Sequence, residues 1–117
     1  MKVMILDDEK ELMEICCEAF EMLGHEAMGF TSAAKALESL RKISYDAVIV
    51  DSQMPDMTGE DFFKLATKTL TANTPPFFMA TGKIDITEDD VKGLGMKGLV
   101  TKPFDIEDLV EYVKENI

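Results

Sequence analysis

The chain has 117 residues, 46% hydrophobic and 30% charged, which suits one globular domain with a proper core and argues against disorder. The net charge of −11, with Arg41 as the one arginine, argues against direct nucleic-acid binding and favours cations or basic partners. No stretch could span a membrane, the start is too short for a signal peptide, and adjacent Cys16 and Cys17 give no disulfide framework. We therefore expect a cytoplasmic protein.

Short apolar stretches typical of buried strands alternate along the chain with amphipathic stretches typical of helices. In chain order, the sequence predicts a strand at 3–6, a helix ending at Gly24, a strand at 26–30, a helix capped by Thr31 or Ser32, a strand at 46–51, a helix after Gly59, a strand at 77–81, a short helix at about 87–94, a strand at 99–101 and a helix capped by Asp105.

The helical spacing also predicts which side chains face the core. The first helix would bury Leu12, Ile15, Cys16, Ala19, Phe20 and Leu23, and the last would bury Ile106, Leu109, Val110, Val113 and Ile117.

Alternation of strands and helices with short connections predicts a parallel sheet covered by helices on both faces. The expected fold is α/β, with three αβα layers and a doubly wound five-stranded sheet of order 2-1-3-4-5. No repeat or linker interrupts the pattern, so we expect residues 1–117 to form a single domain without an output domain.

Polar residues follow four of the five predicted strands. Asp7 and Asp8 end the first, Asp51 the third, Thr81 the fourth and Lys102 the fifth. The carboxyl ends of parallel strands share one edge of a sheet, where such folds bind ligands. Clustered carboxylates need a compensating cation, and oxygen ligands in an open crevice suit Mg²⁺. With a hydroxyl and an ammonium on the far side of the acids, and the backbone amide of Gly82 as a further donor, this set predicts a phosphoryl site at which Asp51 is the nucleophile.

Taken together, these motifs resemble a response-regulator receiver domain (CheY-like) of two-component signalling. The matching elements are Asp7-Asp8, the segment from Asp51 through Met54-Pro55 to Gly59, Thr81-Gly82, and Lys102-Pro103-Phe104. The resemblance covers the whole chain and implies the flavodoxin-like (βα)5 receiver fold. It also implies a phosphorelay, in which Asp51 accepts a phosphoryl group from a histidine kinase or phosphotransfer protein and a conformational change regulates a partner or an output domain.

The same resemblance assigns the other site residues. Asp8, Asp51 and the backbone carbonyl of Gln53 would hold Mg²⁺, or Mn²⁺ in its place, with Asp7 acting through a bound water. Lys102 would pair with phosphoryl oxygens. Thr81, the switch residue, would hydrogen-bond one of them. A cis bond is implied before Pro103.

Three features bear on regulation. The family usually has an aromatic residue three positions before the lysine, where this chain has Leu99, so the switch must use another element. Gln53 and Lys83 are expected to tune phosphoryl lifetime, with Lys83 shielding the group from water. By the same resemblance, the output surface would be the fourth helix, the fifth strand and the fifth helix, with Met96, Lys97 and Glu111 exposed on it.

Two other functions compete with the receiver interpretation. A Mg²⁺-dependent phosphohydrolase with an aspartyl-phosphate intermediate usually has a second aspartate two residues after the nucleophile, where this chain has Gln53. A pseudo-receiver that only binds partners would not need the full acid, threonine and lysine set. We therefore expect no enzyme beyond Mg²⁺-dependent self-phosphorylation and self-dephosphorylation.

Overall fold

The computed structural model describes all 117 residues and contains five strands that alternate with five helices. The elements are β1 (Lys2–Leu6), α1 (Lys10–Met22), β2 (Glu26–Phe30), α2 (Ala33–Lys42), β3 (Ala47–Asp51), α3 (Gly59–Leu70), β4 (Phe77–Thr81), α4 (Glu88–Leu94), β5 (Gly98–Thr101) and α5 (Ile106–Asn116), with one 3₁₀ turn at Thr71–Asn73. All neighbouring strands are parallel, in the order β2-β1-β3-β4-β5. The predicted fold class and strand order are confirmed.

The central strands β3 and β4 are buried along their whole length, as their unbroken apolar sequences indicate. Because side chains alternate along a strand, each strand contributes to two separate cores. Val48, Val50, Phe77 and Met79 belong to the core under α2, α3 and α4. Ile49 and Phe78 belong to the core under α1 and α5. This alternation also sorts the polar residues that follow each strand.

Side chains at the helix starts fix where four of the connections end. Ser32, Thr58, Thr87 and Asp105 each accept a backbone N–H of the first turn of their helix, and Thr87 forms a reciprocal capping box with Asp90. The predicted caps of α2 and α5 are therefore confirmed. None of the helices has the length and apolarity needed to cross a membrane.

Several predicted core positions are wrong. Ile15, Leu23 and Ile117 are exposed, while Met13 and Cys17 are buried with Cys16 and Phe20. The buried stripe of α1 repeats every three to four residues from Met13, which places Ile15 on the opposite side of the helix. Leu23 and Ile117 follow the last residues of their helices and so leave the packed face.

Met96 was expected on the surface but is only 3% exposed. Gly95 ends α4 in the left-handed conformation, with φ at 107°, and the amide of Met96 then donates to the carbonyl of Val91. That turn directs Met96 into the core beside Val91, whereas Lys97 and Glu111 are exposed as predicted.

Candidate functional site

Three polar residues emerge on the same face of the sheet at its carboxyl edge. Each lies two residues after an apolar side chain that belongs to the core under α1 and α5. Asp7 follows Ile5, Asp51 follows Ile49 and Lys102 follows Val100. Because side chains alternate along a strand, the three polar residues lie on that same face. The strand order places β1 beside β3, which brings the two aspartates together.

Lys102 joins these carboxylates. Its Nζ lies 3.0 Å from Asp7 Oδ2 and 3.2 Å from Asp51 Oδ1, and donates a hydrogen bond to each. The side chains of Asp7 and Asp51 are largely buried, and that of Lys102 is 16% exposed, so water screens these pairs only partly.

Glu9 is a further carboxylate at this site that the sequence interpretation missed. Its Oε1 lies 3.6 Å from Lys102 Nζ, although its side chain is mostly exposed. The only signal was its position directly after Asp7-Asp8, before the start of α1. The amide of Glu9 in turn donates to Asp7 Oδ1, which orients that carboxylate.

The acids fit a divalent cation. Asp7, Asp8 and Asp51 each offer a carboxylate oxygen, and these oxygens lie within 4.8 Å of one another. Asp8 is exposed, so the cluster opens to solvent. The Gln53 carbonyl accepts none of the hydrogen bonds of the surrounding loop and is free to act as an additional oxygen ligand. Oxygen donors of this kind, in an open site that leaves room for waters, suit Mg²⁺.

Burial and the clustering of acidic groups raise the pKa of Asp51. Burial, the nearby Asp7 charge and a hydrogen bond with Asp8 raise the pKa of Asp51 to about 6, although Lys102 opposes this shift. Burial by itself would lower the pKa of Lys102, but its pairs with Asp7 and Asp51 outweigh that effect and raise it. Ionised Asp51 is therefore destabilised in the metal-free protein, and a bound cation would relieve the repulsion between the acids.

Gly59 allows the backbone to pass close to Asp51. A Cβ added to Gly59 would overlap with the carbonyl oxygen of Asp51. The Gly59 amide donates to the carbonyl of Ser52 at 2.9 Å, which closes the turn between β3 and α3. Glycine is therefore required for the close packing that fixes Asp51 at the mouth of the site.

Thr81 and Ser52 lie on the other face of the sheet. They continue the alternation of Met79 and Val50, which pack under α3 and α4. Ser52 Oγ donates to Thr81 Oγ1 at 2.8 Å, and the amide of Lys83 donates to the same oxygen at 3.0 Å. Sequence reasoning did not identify Ser52, since one serine beside an acid carries no signal of its own.

The remaining predicted residues surround this centre. Gly82 is exposed, and its amide takes part in none of the loop hydrogen bonds. Lys83 is exposed at the rim. Leu99 is half-buried, packs against the core under α4, and donates its amide to Tyr112 Oη at 3.3 Å. The Lys102–Pro103 peptide bond is cis, as the resemblance implies.

Comparison with known proteins identifies this arrangement. A family model described as the response regulator receiver domain matches residues 3–114. The chain belongs to this family. The receiver domain is therefore a module of two-component signalling, and the position of Asp51 at the end of β3 fits the phosphoacceptor role.

Its relatives differ in architecture. The chain is 29% identical to the nisin biosynthesis regulatory protein of Lactococcus lactis, over 99% of this chain and 50% of that protein. It is also 29% identical to sporulation initiation phosphotransferase F of Bacillus subtilis, over 97% of this chain and 91% of that protein. The chain thus spans about half the length of several curated relatives that it matches.

Solved structures give the same fold. The chemotaxis response regulator CheY4 of Vibrio cholerae superimposes with a TM-score of 0.88 and 26% identity, covering 99% of this chain and 98% of that one.

Proposed function

We propose that this receiver domain accepts a phosphoryl group on Asp51 from a phosphohistidine of a kinase or phosphotransfer protein. The observation that carries the proposal is the Asp7–Lys102–Asp51 cluster, in which one lysine contacts both acids at 3.0 and 3.2 Å. Asp51 is a buried acid that contacts a lysine and belongs to an acidic cluster open to solvent. Such an acid is suited to nucleophilic attack on a phosphoryl group.

In the proposed reaction a carboxylate oxygen of Asp51 attacks phosphorus. An O–P bond forms while the P–N bond of the phosphohistidine breaks, and the imidazole leaves and takes up a proton. The transferred phosphoryl group carries negatively charged oxygens. The Nζ of Lys102 and the free amide of Gly82 can donate hydrogen bonds to these oxygens. Both lie at the same edge of the sheet as Asp51.

The acids would hold Mg²⁺ through Asp8, Asp51 and the Gln53 carbonyl, with Asp7 acting through a water; Mn²⁺ is the alternative ion. When bound, the cation supplies charge neutralisation for the acids and the phosphoryl oxygens. Asp51 with its pKa near 6 would be held ionised by that charge at neutral pH.

The reaction ends with the phosphoryl group on Asp51 or with hydrolysis of the aspartyl phosphate. Gln53 occupies the position where phosphohydrolases usually have a second acid, so no side chain there can protonate a leaving group. We therefore infer a signalling module and not a turnover enzyme. Its output passes to a partner or an attached domain through α4, β5 and α5, where Lys97 and Glu111 are exposed. Residues 1–117 act as one receiver unit in this proposal.

An acyl-phosphate assay tests the function. The protein is incubated with acetyl phosphate and Mg²⁺, and its intact mass is measured over time. Wild type is expected to gain one labile phosphoryl group, Asp51→Asn none, and Asp56→Asn, an exposed acid of the next loop, the same as wild type. Omitting Mg²⁺ should suppress the gain. An adduct that persists in Asp51→Asn, or steady turnover of phosphoesters, would contradict the proposal.

A further inference from the structure

Ser52 is placed to control Thr81 by the register of the sheet. Asp51 pairs with Ala80 across β3 and β4, so the residues that follow, Ser52 and Thr81, lie side by side. The backbone of Ser52 is held at both ends, because its amide donates to the Ala80 carbonyl at 2.9 Å and its carbonyl accepts from Gly59 at 2.9 Å. Its hydroxyl then reaches Thr81 Oγ1 at 2.8 Å.

Thr81 is held in a state that does not serve a phosphoryl group. Its side chain is completely buried, and both lone pairs of its oxygen accept hydrogen bonds, one from Ser52 and one from the Lys83 amide. We call these two hydrogen bonds the Thr81 latch. Asp51 projects on the other face of the sheet, so the Thr81 hydroxyl must change rotamer to reach a group bound there.

That change breaks the latch. Ser52 is 8% exposed, and its hydroxyl would then lose the acceptor that the protein provides. Loss of an intramolecular hydrogen bond is unfavourable, which favours the latched rotamer. On the basis of the proposed function, we propose that Ser52 is a positioning residue that holds Thr81 in the unphosphorylated state and so opposes switching.

The latch also connects Thr81 to α4. When Thr81 Oγ1 leaves, the amide of Lys83 loses its acceptor at the start of the loop that leads to α4. A cavity of about 250 Å³, lined in part by Ser52, Lys83 and Val91, separates the latch from α4 and gives the loop room to move. This route needs no aromatic ring on β5, where the chain has Leu99.

Titration with beryllofluoride, a phosphoryl analogue, in the presence of Mg²⁺ tests the latch. Ser52→Ala is expected to bind the analogue about two- to tenfold more tightly than wild type, the equivalent of one hydrogen bond. Ser52→Thr, which keeps the hydroxyl, should return towards the wild-type affinity. The matched control is Ser39→Ala, which removes a serine hydrogen bond to Tyr45 far from the site.

A second measurement uses the unmodified protein. The Lys83 amide should exchange its hydrogen faster, by at least twofold, once beryllofluoride is bound. Equal or weaker analogue binding by Ser52→Ala, or an unchanged Lys83 exchange rate, would overturn the latch while leaving the phosphoacceptor function intact. Failure of wild type to bind the analogue at all would instead reject the proposed function itself.

Discussion

Replacing Asp51 with asparagine should stabilise the metal-free protein, although it removes the proposed phosphoacceptor. The pKa of Asp51 is raised from 3.8 to about 6, mainly by burial and then by Asp7. A difference of about 2 pKa units corresponds to roughly 3 kcal/mol of destabilisation by the ionised form at neutral pH. Asparagine carries no charge, and Lys102 keeps Asp7 and Glu9 as partners. We therefore expect Asp51→Asn to gain about 1–3 kcal/mol at pH 7.5.

The stability gained by Asp51→Asn should increase with pH. Between pH 3.8 and about 6 the folded state binds more protons at Asp51 than the unfolded state does, so this residue makes stability fall as pH rises. Below that window Asp51 is neutral in both states and the advantage of asparagine vanishes. At pH 5 about half of the advantage should remain, and above pH 7 it should be constant.

Urea unfolding of both proteins at pH 5.0 and 7.5, in EDTA, measures the difference directly. Asp56→Asn serves as the control, because this carboxylate is exposed in the loop after β3. Adding Mg²⁺ should narrow the gap at pH 7.5, since a cation stabilises the ionised acids of wild type. An Asp51→Asn variant that is no more stable than wild type at pH 7.5, or whose advantage does not change with pH, would refute the assigned electrostatics.

Three further substitutions, two of them paired with a control variant, have defined outcomes. Gly59→Ala should destabilise the protein by about 1–3 kcal/mol and slow phosphorylation, because the added Cβ meets the Asp51 carbonyl. The control Gly93→Ala places its Cβ in open space and should stabilise α4 by about 0.5–1 kcal/mol. Urea unfolding distinguishes the two variants. Lys102→Ala leaves Asp7 and Asp51 unpaired, and should cost about 2–4 kcal/mol in EDTA at pH 7.5 by the same method. Lys83→Ala should release the phosphoryl group from Asp51 faster than wild type by intact mass, and exposed Lys97→Ala should not.

The fold could be predicted because its signals are local. The apolar runs of β3 and β4 and the helical spacing of α2 and α5 each indicate their own structure, and alternation then sets the topology. The polar strand ends followed from the same reasoning, since parallel strands end at one edge. The gathering of Asp7, Asp51 and Lys102 at one edge is therefore the part of the site that a sequence can reveal, whereas the direct contacts of Lys102 with both acids are seen only in the structure.

The parts that sequence reasoning missed depend on register and on turn geometry. Ser52 matters only because β3 and β4 pair so that it lies opposite Thr81, and no composition or spacing specifies that alignment. Glu9 reaches Lys102 only through the path of the chain before α1. Met96 is buried because Gly95 adopts a positive φ that turns the chain inward, which a helical pattern does not report.

If the proposed latch holds, the alternation of the sheet would let this domain switch without an aromatic residue on β5. The acids and Lys102 lie on the face under α1 and α5, whereas Thr81 and Leu99 lie on the face under α4. A signal from Asp51 to α4 would therefore have to cross the edge of the sheet, where Thr81 is an uncharged polar residue. Because Ser52 and the Lys83 amide donate hydrogen bonds to its oxygen at 2.8 and 3.0 Å, the free energy of the proposed switch would depend on hydrogen bonds instead of ring packing. Leu99 then needs only to pack, and its half-buried side chain does so.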